Sequence, residues 1–185
     1  VMELIEGQSL YEAMREGSKP YRIQQLFVQP TMEYIITLVG LLHLHGYVHG
    51  DLKPENIMVD LVHDRFYLVD FGAAAPAGTR GVLGSPLFCP PEVFQGAPFE
   101  FVGDWYAVGI IFYELLTGGT PFASQTQHHL IQEKLRPIPR PHGLPNDAYD
   151  LLRRLTNPDP EQRPISALEI LKHRYFTYQK RSPTY

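Results

Sequence analysis

Eight consecutive residues, His49-Gly50-Asp51-Leu52-Lys53-Pro54-Glu55-Asn56, put a carboxylate, an amine and a carboxamide on one short stretch, and a second acid follows at Asp70-Phe71-Gly72. A carboxylate and a carboxamide can share a hard cation such as Mg²⁺, a lysine can neutralise a phosphate, and another carboxylate can take or orient a hydroxyl proton. Phosphoryl transfer uses all four roles. Asp before an aromatic and a glycine is ordinary turn chemistry by itself. What makes the pair specific is its order, with the second acid placed behind the first motif and two β-prone runs.

These groups need elements to hold them. Tyr47-Val48, Ile57-Met58-Val59 and Phe66-Tyr67-Leu68-Val69 are short β-prone runs that frame the polar loop as small strands. Upstream, Val1 to Ile5 reads as a strand, and Ser9-Leu10-Tyr11-Glu12 has the spacing of a capping box, so a short helix starts there and ends at Gly17 to Pro20. Met32, Ile35, Ile36, Val39, Leu42 and Leu44 recur at helical spacing, which predicts a helix from Pro30 to His45 stopped by Gly46. Ala73 to Gly103, rich in Gly, Ala and Pro, reads as an ordered irregular surface segment. Asp104 to Thr117 is apolar almost all round and predicts a central buried helix, with Asp104 near its start and Gly118-Gly119 at its end. Gln125 to Leu135, Asp147 to Thr156 and Ser166 to His173 complete the helices, the last opening on a second capping box, Ser166-x-x-Glu169. The fold class is α+β, mainly α-helical, with a small β element at the polar loop.

Bulk properties narrow the function. A chain of 185 residues, 44% hydrophobic, buries a substantial core as one domain. A formal net charge of -4, with basic residues scattered, gives no electrostatic basis for binding nucleic acid or an anionic membrane. The apolar runs Ile35 to Leu44 and Ala107 to Leu116 are too short or too interrupted to cross a bilayer, so no membrane segment is expected. The single cysteine, Cys89, forms no internal disulfide and reads as a buried inert thiol; a cytoplasmic location is the default expectation. His43, His45, His49, His128, His129 and His173 include no i, i+4 pair on one helix and read as ordinary core or surface residues rather than metal ligands.

From Met2 to about Phe176 the sequence resembles the catalytic half of the eukaryotic-type serine/threonine protein kinases. That family's catalytic loop is written H-R-D-L-x-x-x-N, followed by D-F-G and A-P-E. Here they read His49 to Asn56, Asp70-Phe71-Gly72 and Pro90-Pro91-Glu92. The resemblance implies ATP- and Mg²⁺-dependent transfer to serine or threonine of a protein substrate. It makes Asp51 the acceptor of the hydroxyl proton, Lys53 the group that steadies the γ-phosphate, and Asn56 and Asp70 the Mg²⁺ ligands. By the same resemblance Glu3 and Ile5 belong to a hinge that meets adenine, and Met58 lies beneath the ring. Ser85 and Leu87 belong to a peptide platform from Gly84 to Glu92. His49 packs the loop, Glu92 pairs with Arg163, and Asp104 hydrogen-bonds the catalytic-loop backbone. The implied division is a hinge segment over 1–7, a kinase C-terminal lobe over 8–176 and a tail over 177–185.

Two departures from the family pattern matter. The Gly-rich loop, the strand lysine and the helix glutamate of an N-terminal lobe have no counterpart in the sequence, so the chain reads as a fragment, a truncated product or half of a split protein. As an isolated lobe it is expected to bind ATP weakly and to transfer phosphate poorly. A small-molecule phosphotransferase of the aminoglycoside-kinase type, and a non-catalytic interaction module, are the competing readings; the platform residues argue against the first. The second departure is Gly50, where the family's arginine receives an activation-segment phosphate through charge-assisted hydrogen bonds. Thr79→Ala is therefore expected to leave the activity of a full-length form little changed, and a large loss in a peptide phosphorylation assay overturns that expectation.

Overall fold

The computed structural model describes residues 7–16, 21–60, 62–63, 65–82, 84–124 and 126–177. Glu3, Ile5, the Val1 to Ile5 strand, the Gly17 to Pro20 helix end and the 177–185 tail beyond Thr177 lie outside the described residues. In chain order the elements are β1 (Gln8–Ser9), α1 (Leu10–Glu16), α2 (Tyr21–Leu44), β2 (Tyr47–Val48), β3 (Ile57–Asp60), β4 (Arg65–Leu68), β5 (Ala75–Pro76), α3 (Pro91–Phe94), α4 (Phe101–Thr117), α5 (Gln127–Lys134), α6 (Asn146–Leu155), α7 (Ala167–Leu171) and α8 (Arg174–Thr177). The fold is mainly helical α+β.

The core follows from the apolar periodicity. Met32, Ile35, Ile36 and Val39 of α2 face Trp105, Val108, Ile110, Ile111 and Phe112 of α4, all of them fully buried. The amphipathic helix α6 adds Leu151, Leu152 and Leu155 on the other side of α4, and α7 and α8 close over α2. The capping box forms as its spacing predicts: Ser9 N–H donates to Glu12 Oε2 at 2.9 Å and Glu12 N–H to Ser9 Oγ at 3.2 Å.

The β structure is divided differently from the expected frame. β3 pairs antiparallel with β4, Ile57 opposite Leu68, and with β1, Ser9 opposite Met58. β2 instead pairs with β5, Val48 opposite Ala75. The polar loop thus bridges two small sheets, and the segment expected to be irregular supplies β5, α3 and the first turn of α4.

Two helix starts are corrected. The helix expected at Pro30 runs back to Tyr21 and passes through the proline. Val28 is buried in the core and Gln29 Nε2 donates to the Phe176 carbonyl at 3.3 Å, so tertiary contacts hold the turn that a proline ordinarily breaks. With that extension, Phe27–Leu44 is long and apolar enough to cross a membrane by length and composition, contrary to the expectation from the shorter run. The face carrying Met32, Ile35, Ile36 and Val39 is occupied by the core. The central helix starts at Phe101, one turn before Asp104, because Asp104 is drawn inward to bind another segment instead of capping its own helix.

One ion pair ties α3 to the helical base. Arg163 meets Glu92 through two parallel bonds, Nη1 to Oε1 at 2.6 Å and Nη2 to Oε2 at 2.7 Å. Its remaining donors reach the carbonyls of Asn157, Val102 and Pro158 at 2.7, 3.2 and 3.3 Å, so all five N–H groups are used. The Arg163 side chain is wholly buried. Glu92→Ala leaves that guanidinium unpaired and is expected to cost about 3 kcal/mol of unfolding free energy. In urea denaturation, the double variant Glu92→Leu/Arg163→Met should lose less than Glu92→Ala alone.

Candidate active site

The polar loop is held from below by a single carboxylate. Asp104, fully buried in α4, accepts the His49 N–H at 2.8 Å on Oδ2 and the Gly50 N–H at 3.1 Å on Oδ1, and its Oδ2 lies 2.9 Å from His43 Nε2. His49 is itself fully buried, its Nε2 3.1 Å from the Val69 carbonyl and its ring 5.2 Å from that of Phe71. The imidazole therefore packs the loop against the segment that carries Asp70.

Above this base the chemistry-bearing side chains converge on Asp51. Its Oδ1 accepts the Ser85 N–H at 2.5 Å, its Oδ2 lies 3.0 Å from Lys53 Nζ, and Asn56 Nδ2 donates to the Asp51 carbonyl at 2.9 Å and to Oδ2 at 3.3 Å. Lys53 Nζ also donates to Ser85 Oγ at 3.0 Å, closing a ring of contacts between the loop and the platform. Burial pushes the Asp51 carboxyl up, but the Ser85 N–H and the Lys53 ammonium outweigh it and hold the group below the usual carboxylate range.

Asp70 follows Val69, whose N–H donates to the Asn56 carbonyl at 3.0 Å, and is exposed, with φ 58° and ψ 69°. Among the described residues it is the one non-glycine with positive φ, a conformation Asp tolerates better than most side chains. Its Oδ1 accepts the Gly72 N–H at 3.3 Å, which fixes the turn through Phe71–Ala73. The donor set suits a magnesium–phosphate complex: Asn56 uses its N–H groups on Asp51 and retains an amide oxygen to offer, and Asp70 adds one exposed carboxylate. Among the described residues no group of three or more His, Cys, Asp or Glu side chains gathers as an all-protein cage, and Mg²⁺ held partly by phosphate oxygens needs none.

The other residues singled out in the sequence fall as follows. Met58 is half-buried in β3, between Ser9 of β1 and Tyr67 of β4. Ser85 is joined to both Asp51 and Lys53, whereas the Leu87 side chain is exposed. Cys89 is buried, and burial raises its thiol to about 11, as expected of an inert sulfhydryl.

Three contributors escaped the sequence reading. His43, read from the sequence as an ordinary histidine, contacts the central carboxylate; its place in the last turn of α2, just before the polar loop, is the available signal. Lys134 is buried beneath the platform, and Glu114 of α4 is raised to about 7 by burial and by the charge of Glu55 on the loop. Glu114 is the lone acid in the apolar run Val108 to Leu116, which marks it.

Gly50 and Gly84 let two backbones meet. A Cβ on Gly84 would lie 2.2 Å from the Gly50 carbonyl oxygen and 2.9 Å from Asp51 Oδ1. Gly50 has φ +76°, and a Cβ there would meet Val82 Cγ1 at 2.6 Å and the Ala73 carbonyl oxygen at 2.8 Å. The space that an arginine stem would need at this position is filled by the segment itself.

Comparison with known proteins follows the same lines. The family model described as protein kinase domain matches residues 1–176. The chain is 36% identical to the serine/threonine-protein kinase AtPK2/AtPK19 of Arabidopsis thaliana over 77% of its own length and 32% of the relative's. It is 32% identical to calcium-dependent protein kinase 8 of the same plant, over 99% and 36% of the two chains, and 31% identical to serine/threonine-protein kinase PkaA of Streptomyces coelicolor, over 89% and 31%. The chain thus spans about a third of the length of the curated relatives it matches. Among solved structures, the Cydia pomonella granulovirus kinase PK-1 superposes with a TM-score of 0.77 at 22% identity, covering 94% of this chain and 68% of that one, a likeness of fold.

Gly84→Ala is expected to push the platform off the loop and break the Ser85 N–H bond to Asp51. By side-chain carboxyl NMR the Asp51 group should then titrate at higher pH than in the unsubstituted protein, since the bond that lowers it most is lost. An unchanged titration shows that the segment absorbs the methyl elsewhere.

Proposed function

The chain belongs to the protein kinase domain family, and from that premise we propose that it is the C-terminal lobe of a serine/threonine protein kinase, which transfers phosphate from ATP to a hydroxyl of a protein substrate. The observation that carries this is the shared anchorage of Asp51 and Ser85. The carboxylate suited to take a hydroxyl proton is bonded to the backbone of the segment suited to hold a peptide, and Lys53 bridges the two. A phosphotransferase acting on a free small molecule has no use for that coupling.

Each residue has a definite task in this reading. Asp51, held below the usual carboxylate range, is ionised at neutral pH and would orient the substrate hydroxyl, accepting its proton as the new O–P bond forms and the bond from the γ-phosphorus to the bridging oxygen breaks, leaving ADP. Lys53 carries positive charge to the same point, where negative charge builds on the transferred group. Asn56 and Asp70 are the residues that would hold Mg²⁺, and Met58 on β3 offers apolar surface for a nucleotide base. MgATP, when bound, supplies the transferable phosphoryl group and the neutralisation of its charge. Ser85 fixes the platform height, and Asp104 with Glu92–Arg163 keeps loop and platform in one frame.

Transfer of radiolabelled phosphate from MgATP to a serine/threonine peptide library tests the proposal, with the longest natural form of the chain as enzyme. Asp51→Asn is expected to lower kcat at least about a hundredfold. Asp70→Asn should lower transfer and raise the Mg²⁺ concentration needed for half-maximal activity. Transfer to aminoglycosides but not to peptides favours the small-molecule reading. Unaffected ATP-independent binding to partners, with no transfer to any acceptor, favours the interaction module.

A further inference from the structure

The platform is held from above by Asp51 and Lys53, and from below by a residue that the chemistry just described does not use. Lys134, the last residue of α5, is 1% exposed. Its Nζ donates to the Leu87 carbonyl at 2.6 Å and lies over two aromatic faces, 4.3 Å from the Phe122 ring centre and 5.0 Å from that of Tyr106. Leu87 sits inside the turn whose Phe88 and Cys89 N–H groups both return to the Ser85 carbonyl at 3.0 Å. One short run of bonds therefore leads from Lys134 through this turn to Ser85 and on to Asp51.

Stability alone gives no reason for a lysine here. Removing an ammonium from water is costly, and apolar replacements of buried charges are often neutral or stabilising. Burial lowers the Lys134 ammonium to about 7, with the Glu92 carboxylate opposing that fall. What a lysine offers that a methionine of similar length lacks is a donor aimed at the Leu87 carbonyl, whose side chain stands at the outer surface where a peptide would lie.

We propose that Lys134 is a positioning residue for the protein substrate: its grip on the Leu87 carbonyl sets the height and rigidity of the Ser85–Cys89 turn relative to Asp51. The substrate part of this inference rests on the kinase reading above; the grip on the turn does not.

Lys134→Met tests both parts. Hydrogen–deuterium exchange at the Phe88 and Cys89 amides is expected to quicken about tenfold, as for loss of a strong hydrogen bond to the turn, while the thermal midpoint stays level or rises. In peptide phosphorylation, KM for the peptide should rise about tenfold, with kcat and KM for ATP within about twofold of the unsubstituted protein. Should the methionine variant fail to fold, Lys134→Gln, one atom shorter yet still an N–H donor, is expected to fall between the two. Unchanged exchange overturns the grip. Faster exchange with an unchanged peptide KM, or an equal fall in kcat, overturns the substrate role. With the longest natural form of the chain as enzyme, no peptide phosphorylation by the unsubstituted protein overturns the kinase reading and the substrate role with it, and exchange then judges the grip alone.

Discussion

A buried carboxylate in the first turn of an apolar helix is costly unless its oxygens are filled, and Asp104 fills both with the backbone of the polar loop. This constraint governs the rest. The loop cannot shift by a residue or tilt without leaving a carboxylate unsatisfied in the core, so His49, Gly50 and Asp51 are referred to the axis of α4. Because α4 is itself gripped by α2 and α6, the position of the loop is referred to the hydrophobic core as well as to the loop's own bonding.

The same logic explains why the sequence was informative in some places and silent in others. The polar loop, the Ser9–Glu12 capping box and the apolar stripes of α2 and α4 were legible because each is a local pattern with a local cause. The start of α2 was misjudged at Pro30, where Val28 burial and the Gln29 bond to a carbonyl 147 residues away outweigh the proline's missing donor. From its neighbours alone Asp104 reads as a helix cap; its bonds to the loop backbone were legible only through the resemblance, since the two N–H groups that claim it lie 55 and 54 residues away. The pairing of β2 with β5 was likewise hidden: a two-residue strand carries no period, and its partner is an Ala–Pro pair with low strand preference.

Gly50 and Gly84 show how a motif can change meaning at one residue. In the family's pattern an arginine after the histidine awaits a phosphate. Here the position takes positive φ and its Cβ space is occupied by Val82 and the Ala73 carbonyl, while Gly84 lies against the Gly50 carbonyl from the other side. The two backbones meet where the family's pattern has a charged side chain. Glu92 and Arg163 could be paired from the sequence only through the resemblance, since 71 residues separate them.

Tyr106, two residues along α4 from Asp104, joins these separate anchors. Its ring has Arg163 on it at 4.9 Å and Lys134 at 5.0 Å, and burial drives its phenol far above the usual range, so it stays neutral and presents π-faces to both cations. One cation holds α3 through Glu92; the other holds the Leu87 carbonyl. A single turn of α4 therefore holds the polar loop by a carboxylate and meets, through an aromatic ring, the two cations that hold α3 and the Leu87 carbonyl. Since both fixings share one helix, a change in either anchor must show in the direct bond by which the two halves of the site meet, Ser85 N–H to Asp51 Oδ1 at 2.5 Å.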